Sequence, residues 1–200
     1  MPQRDPQIRR SFGWQIVELV QTVVQMLLLF LLLSALLGRF EVHQISMEPN
    51  FHEGQRVIVS KLDGIWSSLF LRNANAAATQ RRSPFAPQRG QIVVFFTSPD
   101  RTSDPLIKRV IGLPGDTIDL RDGGVRINGV LLSESYLHDQ FTSCNRYCKP
   151  IRLLPGTYFL MGDNRVNSLD SRDFGPIPAD QIVGRVVMRY WPLDKIAIYP

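Results

Sequence analysis

Little in this chain points to metal chemistry or to a histidine-based active site. Only three histidines occur, His43, His52 and His138, and they form no close ligand pattern, so surface or core roles are expected for each. The two cysteines, Cys144 and Cys148 in CNRYC, lack the two further ligands that a structural zinc site needs. No metal and no cofactor is expected. Charge of one sign is also in short supply: Lys and Arg number 23 against 18 Asp and Glu, a net +5 over 200 residues. Basic residues, including Arg81 and Arg82 in a basic loop, do not interleave regularly with aromatics, and zinc-finger spacing is missing. Nucleic acid is therefore not an expected partner. No internal repeat is present, which argues against a repeat array.

What the chain does have is one long apolar run. Ile16 to Leu37 reads IVELVQTVVQMLLLFLLLSALL, 22 residues, or about 33 Å as a helix. From Met26 to Leu33 no side chain is polar, while Glu18, Gln21 and Gln25 lie towards the start, where a headgroup boundary or a partner helix takes them. A single membrane span over residues 16–37 is expected. The alternatives are a cleaved signal peptide, whose core is usually about 7–15 residues, and a buried soluble helix. SALLG keeps the signal peptide open, but GRFEVHQIS behind it offers no convincing small-x-small site. Arg4, Arg9 and Arg10 precede the run with Asp5 as their only acid. That bias predicts a cytoplasmic tail at 1–15 and an extracytoplasmic domain at 38–200.

Behind the run, short β-prone segments alternate with turns. They include Gln55 to Leu62, Gln91 to Thr97, Pro105 to Leu113, GTYFLM and QIVGRVVMRYW. Asp122-Gly123-Gly124 and Asn128-Gly129 are hairpin signals. Many strands with hardly any helical periodicity predict a mainly β, antiparallel fold. Residues 63–90, rich in small and turn-forming types, and 133–156, which hold both cysteines, read as insertions. WSSLFL, Trp66 to Leu71, supplies apolar surface for a membrane interface or for packing on the domain. In an oxidising compartment Cys144 and Cys148 are expected to close a small loop, with free thiols as the alternative.

QISMEPNFHEG places a serine, Ser46, nine residues past Leu37 and a proline, Pro49, three residues later. A serine hydroxyl attacks poorly until a base takes its proton, and no histidine sits in a triad motif. Among the lysines, Lys61 stands at a strand end before Asp63, Lys149 in the cysteine segment and Lys195 near the end of the chain. Lys108 differs, because LIKRVIG surrounds it with apolar neighbours. Strand alternation puts Leu106, Lys108 and Val110 on one face and Ile107, Arg109 and Ile111 on the other. An ammonium held against a dry surface loses hydration and its pKa falls, which is how enzymes tune lysine bases to about 7–8. The ordinary alternative is a strand lysine that snorkels to water.

SMEPN, RGQIVVF, KRVIGLPGD and GDNRVNSLDSRDFGPI occur in this order behind the apolar run. Together they resemble the bacterial type I signal peptidases, serine–lysine proteases with a mostly β catalytic domain. The resemblance covers nearly the whole chain behind the span. It implies removal of signal peptides from exported preproteins at the outer face of the membrane, after small residues at P1 and P3. It implies no obligate protein partner, and it fits either a plasma or a thylakoid membrane. By the same resemblance Ser46 is the nucleophile and Lys108 the general base. Ser168 orients the lysine amine, Asp170 and Arg172 form a structural ion pair, and Asp163 adds support. Gly162 and Asn164 shape the backbone. The Ser46 N–H is one oxyanion donor. The family's second donor is a side-chain hydroxyl two residues earlier, where this chain has Gln44; its carboxamide or another backbone group is left for that role. Val42, Met47, Phe51 and Ile107 fall near the substrate pockets.

Asn50 stands where the family usually has threonine, Gln91 where aspartate is common, and Val166 where an acid is common. Eight residues, Gly38 to Ile45, separate the span from Ser46, a reach of at most about 28 Å, which keeps the hydroxyl near lipid. Three rival readings share parts of this pattern. A self-cleaving Ser–Lys repressor would need a DNA-binding helix pair at the N-terminus, where this chain has the apolar run. A membrane-tethered β domain would bind exported proteins without cutting them. A specialised thylakoid or organelle processing protease would share every motif.

Overall fold

The computed structural model describes residues 12–61, 86–137 and 141–199. WSSLFL, Arg81, Arg82, His138 and most of the tail before residue 16 lie outside the described residues. The described chain divides after Leu36 into two units.

The first unit holds helix α1, Phe12–Leu36. Leucine and unbranched side chains dominate its second half and no proline interrupts it, so nothing breaks the hydrogen-bond ladder. Gly13–Ser34 is long and apolar enough to cross a membrane. Its large apolar side chains are exposed, Leu28 at 61% and Phe30 at 59%, an all-round apolar cylinder suited to a lipid surround.

The second unit is β. Its larger sheet runs in the order β1 (Leu37–Glu41), β2 (Arg56–Ser60), β11 (Ile182–Trp191), β3 (Ile92–Phe95), β4 (Leu106–Gly112), β9 (Thr157–Met161) and β10 (Ile177–Pro178), and β12 (Ala197–Ile198) also pairs with β11. The smaller sheet is β7 (Val130–Leu131), β6 (Gly124–Ile127), β5 (Thr117–Arg121) and β8 (Ile151–Arg152). All recorded pairings are antiparallel. The β5–β6 and β6–β7 hairpins turn at Asp122-Gly123 and Asn128-Gly129, all four with positive φ, the geometry that a two-residue loop between twisted strands requires. Strand β1 has no turn signal before it; LGRFE looks in sequence like the tail of the apolar run.

Three apolar clusters form the core. One gathers Val42, Met47, Phe51, Val57, Val59, Ile92, Val94, Ile107 and Val186. A second packs β3, β4 and β9 against Ile177 and Ile182. The third seats the smaller sheet on Ile111, Phe159 and Met161. Strand β4 supplies all three, through Ile107, Val110 and Ile111. A central strand of this kind holds its polar residues in place with little freedom.

Candidate active site

Ser46 sits in a single 3-10 turn, Ile45–Met47. Glu48 leaves the turn in an extended conformation (φ −66°, ψ 147°), as the residue before a proline must, so the turn cannot propagate. Met47 and Phe51 are fully buried and anchor the turn in the core. From the other side Asn164 clamps it: its N–H donates to Ser46 O at 3.0 Å and its Nδ2 to Ile45 O at 3.2 Å. The result is a serine only 3% exposed, on a turn held from both flanks.

Strand β4 brings Lys108 to that serine. Lys108 is completely buried, and its Nζ lies 2.5 Å from Ser46 Oγ, donating to it as an ammonium. Burial lowers its pKa from 10.5 to about 8. The carboxylates of Asp170 and Asp163 pull the other way, and Arg172 adds a smaller lowering. Loss of hydration outweighs the net attraction.

Asp170 is the most heavily bonded group nearby. It caps the short helix α2, Ser171–Phe174, in a capping box with Asp173. Its Oδ1 accepts from Arg172 N–H at 3.1 Å and Arg172 Nε at 2.9 Å. Its Oδ2 accepts from Gly162 N–H at 3.0 Å, Ser168 Oγ at 2.7 Å and Arg172 Nη2 at 2.9 Å. Burial pushes this carboxyl upward, but these donors and the Arg172 charge outweigh it and hold the pKa below the ordinary value. Ser168 thus spends its proton on Asp170, and its oxygen keeps lone pairs for another donor.

Gly162 stands where no other residue fits. A Cβ there would overlap Ser168 Oγ and Ser46 O, and would lie 2.6 Å from Ser168 Cβ. Gly162→Ala is expected to destabilise the fold by about 1–3 kcal/mol through overpacking. Thermal melts check this; an unchanged Tm contradicts the close approach.

A second ion-pair system backs the first. Asp163, 1% exposed, accepts from Arg109 Nε at 2.8 Å and Nη2 at 2.6 Å, and from Asn50 Nδ2 at 2.8 Å. Asn50 also reaches Tyr136 O at 2.9 Å. Arg165, 1% exposed, donates through Nε to Gly162 O at 3.1 Å and through Nη1 to Thr142 Oγ1 at 2.6 Å and Glu134 Oε2 at 3.1 Å; its Nη2 pairs with Glu134 Oε1. Arg109, Glu134 and Arg165 escaped the sequence reading. Arg109 was visible only as the neighbour of Lys108, and Glu134 falls in the 133–156 segment, where nothing local announces a partner. That segment carries the Cys144–Cys148 disulfide, with Cα atoms 4.8 Å apart. Its loop leans on α2: Arg146 N–H donates to Arg172 O at 3.1 Å and Asn145 Nδ2 to Asp173 Oδ1 at 2.9 Å.

Beside the turn runs a cleft of about 410 Å³ lined by Phe40, Val42, Gln44, Val94, Leu106 and Ile107, among others. Val42 and Ile107 are thus on its wall. Met47 and Phe51 are not; both lie in the core beneath the turn. Gln44 is exposed, and its side chain makes no capping bond to the turn. Among the described residues no group of three or more His, Cys, Asp or Glu is arranged to hold a metal ion.

The family model described as signal peptidase, peptidase S26, matches residues 16–191. The chain is similar to a probable signal peptidase I-2 of Synechocystis, 33% identical over 157 residues, 76% of this chain and 62% of that protein. It is similar to the chloroplastic thylakoidal processing peptidase 1 of Arabidopsis thaliana, 30% identical over 82% of this chain and 45% of that protein. Signal peptidase IB of Staphylococcus aureus is 29% identical over 88% of this chain and 90% of its own length. The match thus spans about three-fifths of the Synechocystis protein and under half of the Arabidopsis one. With nearly all of its β unit and most of its apolar helix inside the matched range, this chain belongs to the signal peptidase family, peptidase S26.

Proposed function

We propose that this protein is a membrane-anchored serine endopeptidase that removes signal peptides from exported preproteins, with Ser46 as nucleophile and Lys108 as general base. The observation that carries the reading is the buried 2.5 Å contact between Lys108 Nζ and Ser46 Oγ. Once Lys108 is neutral, the hydroxyl donates to its lone pair and is poised to lose its proton.

The cycle follows from that contact. Ser46 Oγ attacks the scissile carbonyl as its proton passes to Lys108 Nζ. The Ser46 N–H, near the start of a 3-10 turn where such groups lack an intrahelical acceptor, donates to the developing oxyanion. Gln44, at the cleft edge, offers its carboxamide as the second donor. Lys108 then protonates the leaving amine, and the acyl group stays on Ser46 as an ester. A water gives its proton to Lys108 and attacks the ester; the acyl–Oγ bond breaks, Lys108 returns that proton to Ser46 Oγ, and the peptide leaves as a carboxylic acid. Ser168 supports the amine by presenting an oxygen lone pair, its own proton committed to Asp170. Asp170, Arg172 and Asp163 hold the surrounding backbone.

Substrate enters as an extended strand between residues 42–44 and 104–107, which face each other across the cleft. Val42 and Ile107 narrow its floor and favour small side chains at P1 and P3. Helix α1 anchors the enzyme in a single pass, with its N-terminus cytoplasmic and the β domain outside. The membrane is the plasma membrane; a thylakoid membrane is the second reading, favoured by the Arabidopsis relative.

The test is cleavage of a preprotein by the full chain in detergent. Wild type should cut once, and Ser46→Ala should lose turnover by about 10⁴-fold or more. Equal cutting by both defeats the assignment, and no cutting by wild type favours a binding role. The pH profile is a second check. With the Lys108 pKa at about 8, kcat/KM should rise about tenfold per unit on the acid side and then level off. A flat profile between about pH 6 and 9 contradicts a lysine base.

A further inference from the structure

Arg109, the neighbour of Lys108 on β4, borders a second cavity, of about 400 Å³, that the peptidase reading does not use. We propose that this cavity, bordered by Asn50, His52, Arg109, Arg189, Lys195 and Tyr199, binds the phosphate of an anionic phospholipid headgroup.

Charge is the first argument. Arg189 donates through Nη1 to Asn50 O at 2.8 Å and Gln55 Oε1 at 3.2 Å, and through Nε to Lys195 O at 2.7 Å. All three acceptors are uncharged, so these bonds fix the guanidinium without neutralising it. The planar fork is thereby held rigid at the cavity wall, the state in which arginine recognises phosphate at least entropic cost. Lys195 is exposed beside it and adds a mobile point charge. The remaining groups roughly cancel. Arg109 is committed to Asp163, His52 lies 3.2 Å from Glu48, and the exposed Asp194 precedes Lys195 without lining the cavity. The surplus is positive, and it comes from Arg189 and Lys195.

The second argument is the company these cations keep. Leu193, Ile196 and Ile198 flank Lys195 and Tyr199 in the chain, and they are 68%, 51% and 81% exposed. Aliphatic side chains left in water beside a cationic cavity suit an amphiphile, whose phosphate enters the cavity while its apolar part covers the rim. A soluble anion would leave them bare.

The test is native mass spectrometry of the full chain released from micelles containing equal phosphatidylglycerol and phosphatidylcholine. Phosphatidylglycerol should be retained about tenfold over phosphatidylcholine, and Lys195→Glu should abolish that preference. Lys195→Gln should reduce it partway. Lys195 bonds through its backbone, its N–H to Pro192 O at 3.0 Å and its carbonyl to Arg189 Nε at 2.7 Å, so neither side-chain change should disturb folding. Equal retention of both lipids, or a preference that survives Lys195→Glu, overturns the proposal; the latter result would move the lipid contact to the arginines before α1. Displacement of the lipid by equimolar inorganic phosphate or an acidic peptide overturns the lipid assignment in favour of a general anion site. None of these readings depends on turnover, so they stand apart from the peptidase assignment.

Discussion

Lys108→Met is expected to abolish preprotein cleavage, by about 10⁴-fold or more in kcat, while making the folded protein more stable. The two effects share one cause. Burial holds the Lys108 pKa at about 8 instead of 10.5. A lysine whose folded pKa is depressed binds its proton more weakly when folded than when unfolded. The cost to stability is complete below about pH 8, shrinks as pH rises and vanishes above 10.5. At neutral pH the shift corresponds to about 3 kcal/mol. Methionine fills nearly the same volume without a charge, so it recovers most of that cost and loses the contact to Ser46. Thermal melts at neutral pH should show a Tm at least as high as wild type, beside an inactive enzyme. A large drop in Tm would mean that Lys108 holds the fold together, and its burial could then not be assigned to base chemistry.

Asp170→Asn is expected to have the largest effect on stability. Both Asp170 and Arg172 are completely buried, and the carboxylate accepts from both Nε and Nη2 of the guanidinium. Removing one charge of a buried pair leaves the other without compensation, at about 3–5 kcal/mol. In a domain of this size that lowers Tm by roughly ten degrees or more. The same change frees Ser168 and the Gly162 N–H from their common acceptor, so the turnover that survives at low temperature should fall as well. Acid acts on the same group. Its folded pKa lies below the ordinary 3.8, so the stability it supplies is present above that value and lost as pH falls through the folded pKa. Denaturant melts of wild type and Asp170→Asn at neutral pH check the claim. A difference under about 1 kcal/mol would place the pair among ion pairs that contribute little.

The features most legible in sequence were those with local signatures. DGG and NG announced the two hairpins because only a few residue types accept positive φ at both turn positions. Lys108 stands out among the lysines because LIKRVIG surrounds it with apolar neighbours. Other features depend on the register of distant strands. Strand β1 pairs with β2 from Leu37↔Ser60 to Glu41↔Arg56, and LGRFE alone carries no sign of that partner. The resemblance places Met47 and Phe51 near the substrate pockets together with Val42 and Ile107; all four side chains share one buried cluster, and only Val42 and Ile107 also line the cleft. The Glu134–Arg165 pair joins residues 31 apart, and no periodicity encodes such a pairing. Asn50 looked like a departure from a family pattern, yet its carboxamide has a defined place between Asp163 and Tyr136.

The whole mechanism depends on a single nitrogen that gives up its proton far more readily than lysine does in water. The most direct measurement is a pH titration of the lysine ε-carbons by ¹³C NMR in the full chain, with the Lys108 signal assigned by its absence in Lys108→Met. A midpoint near 8 is predicted for that signal alone. A midpoint at the ordinary 10.5 would leave Ser46 without a base and contradict the account.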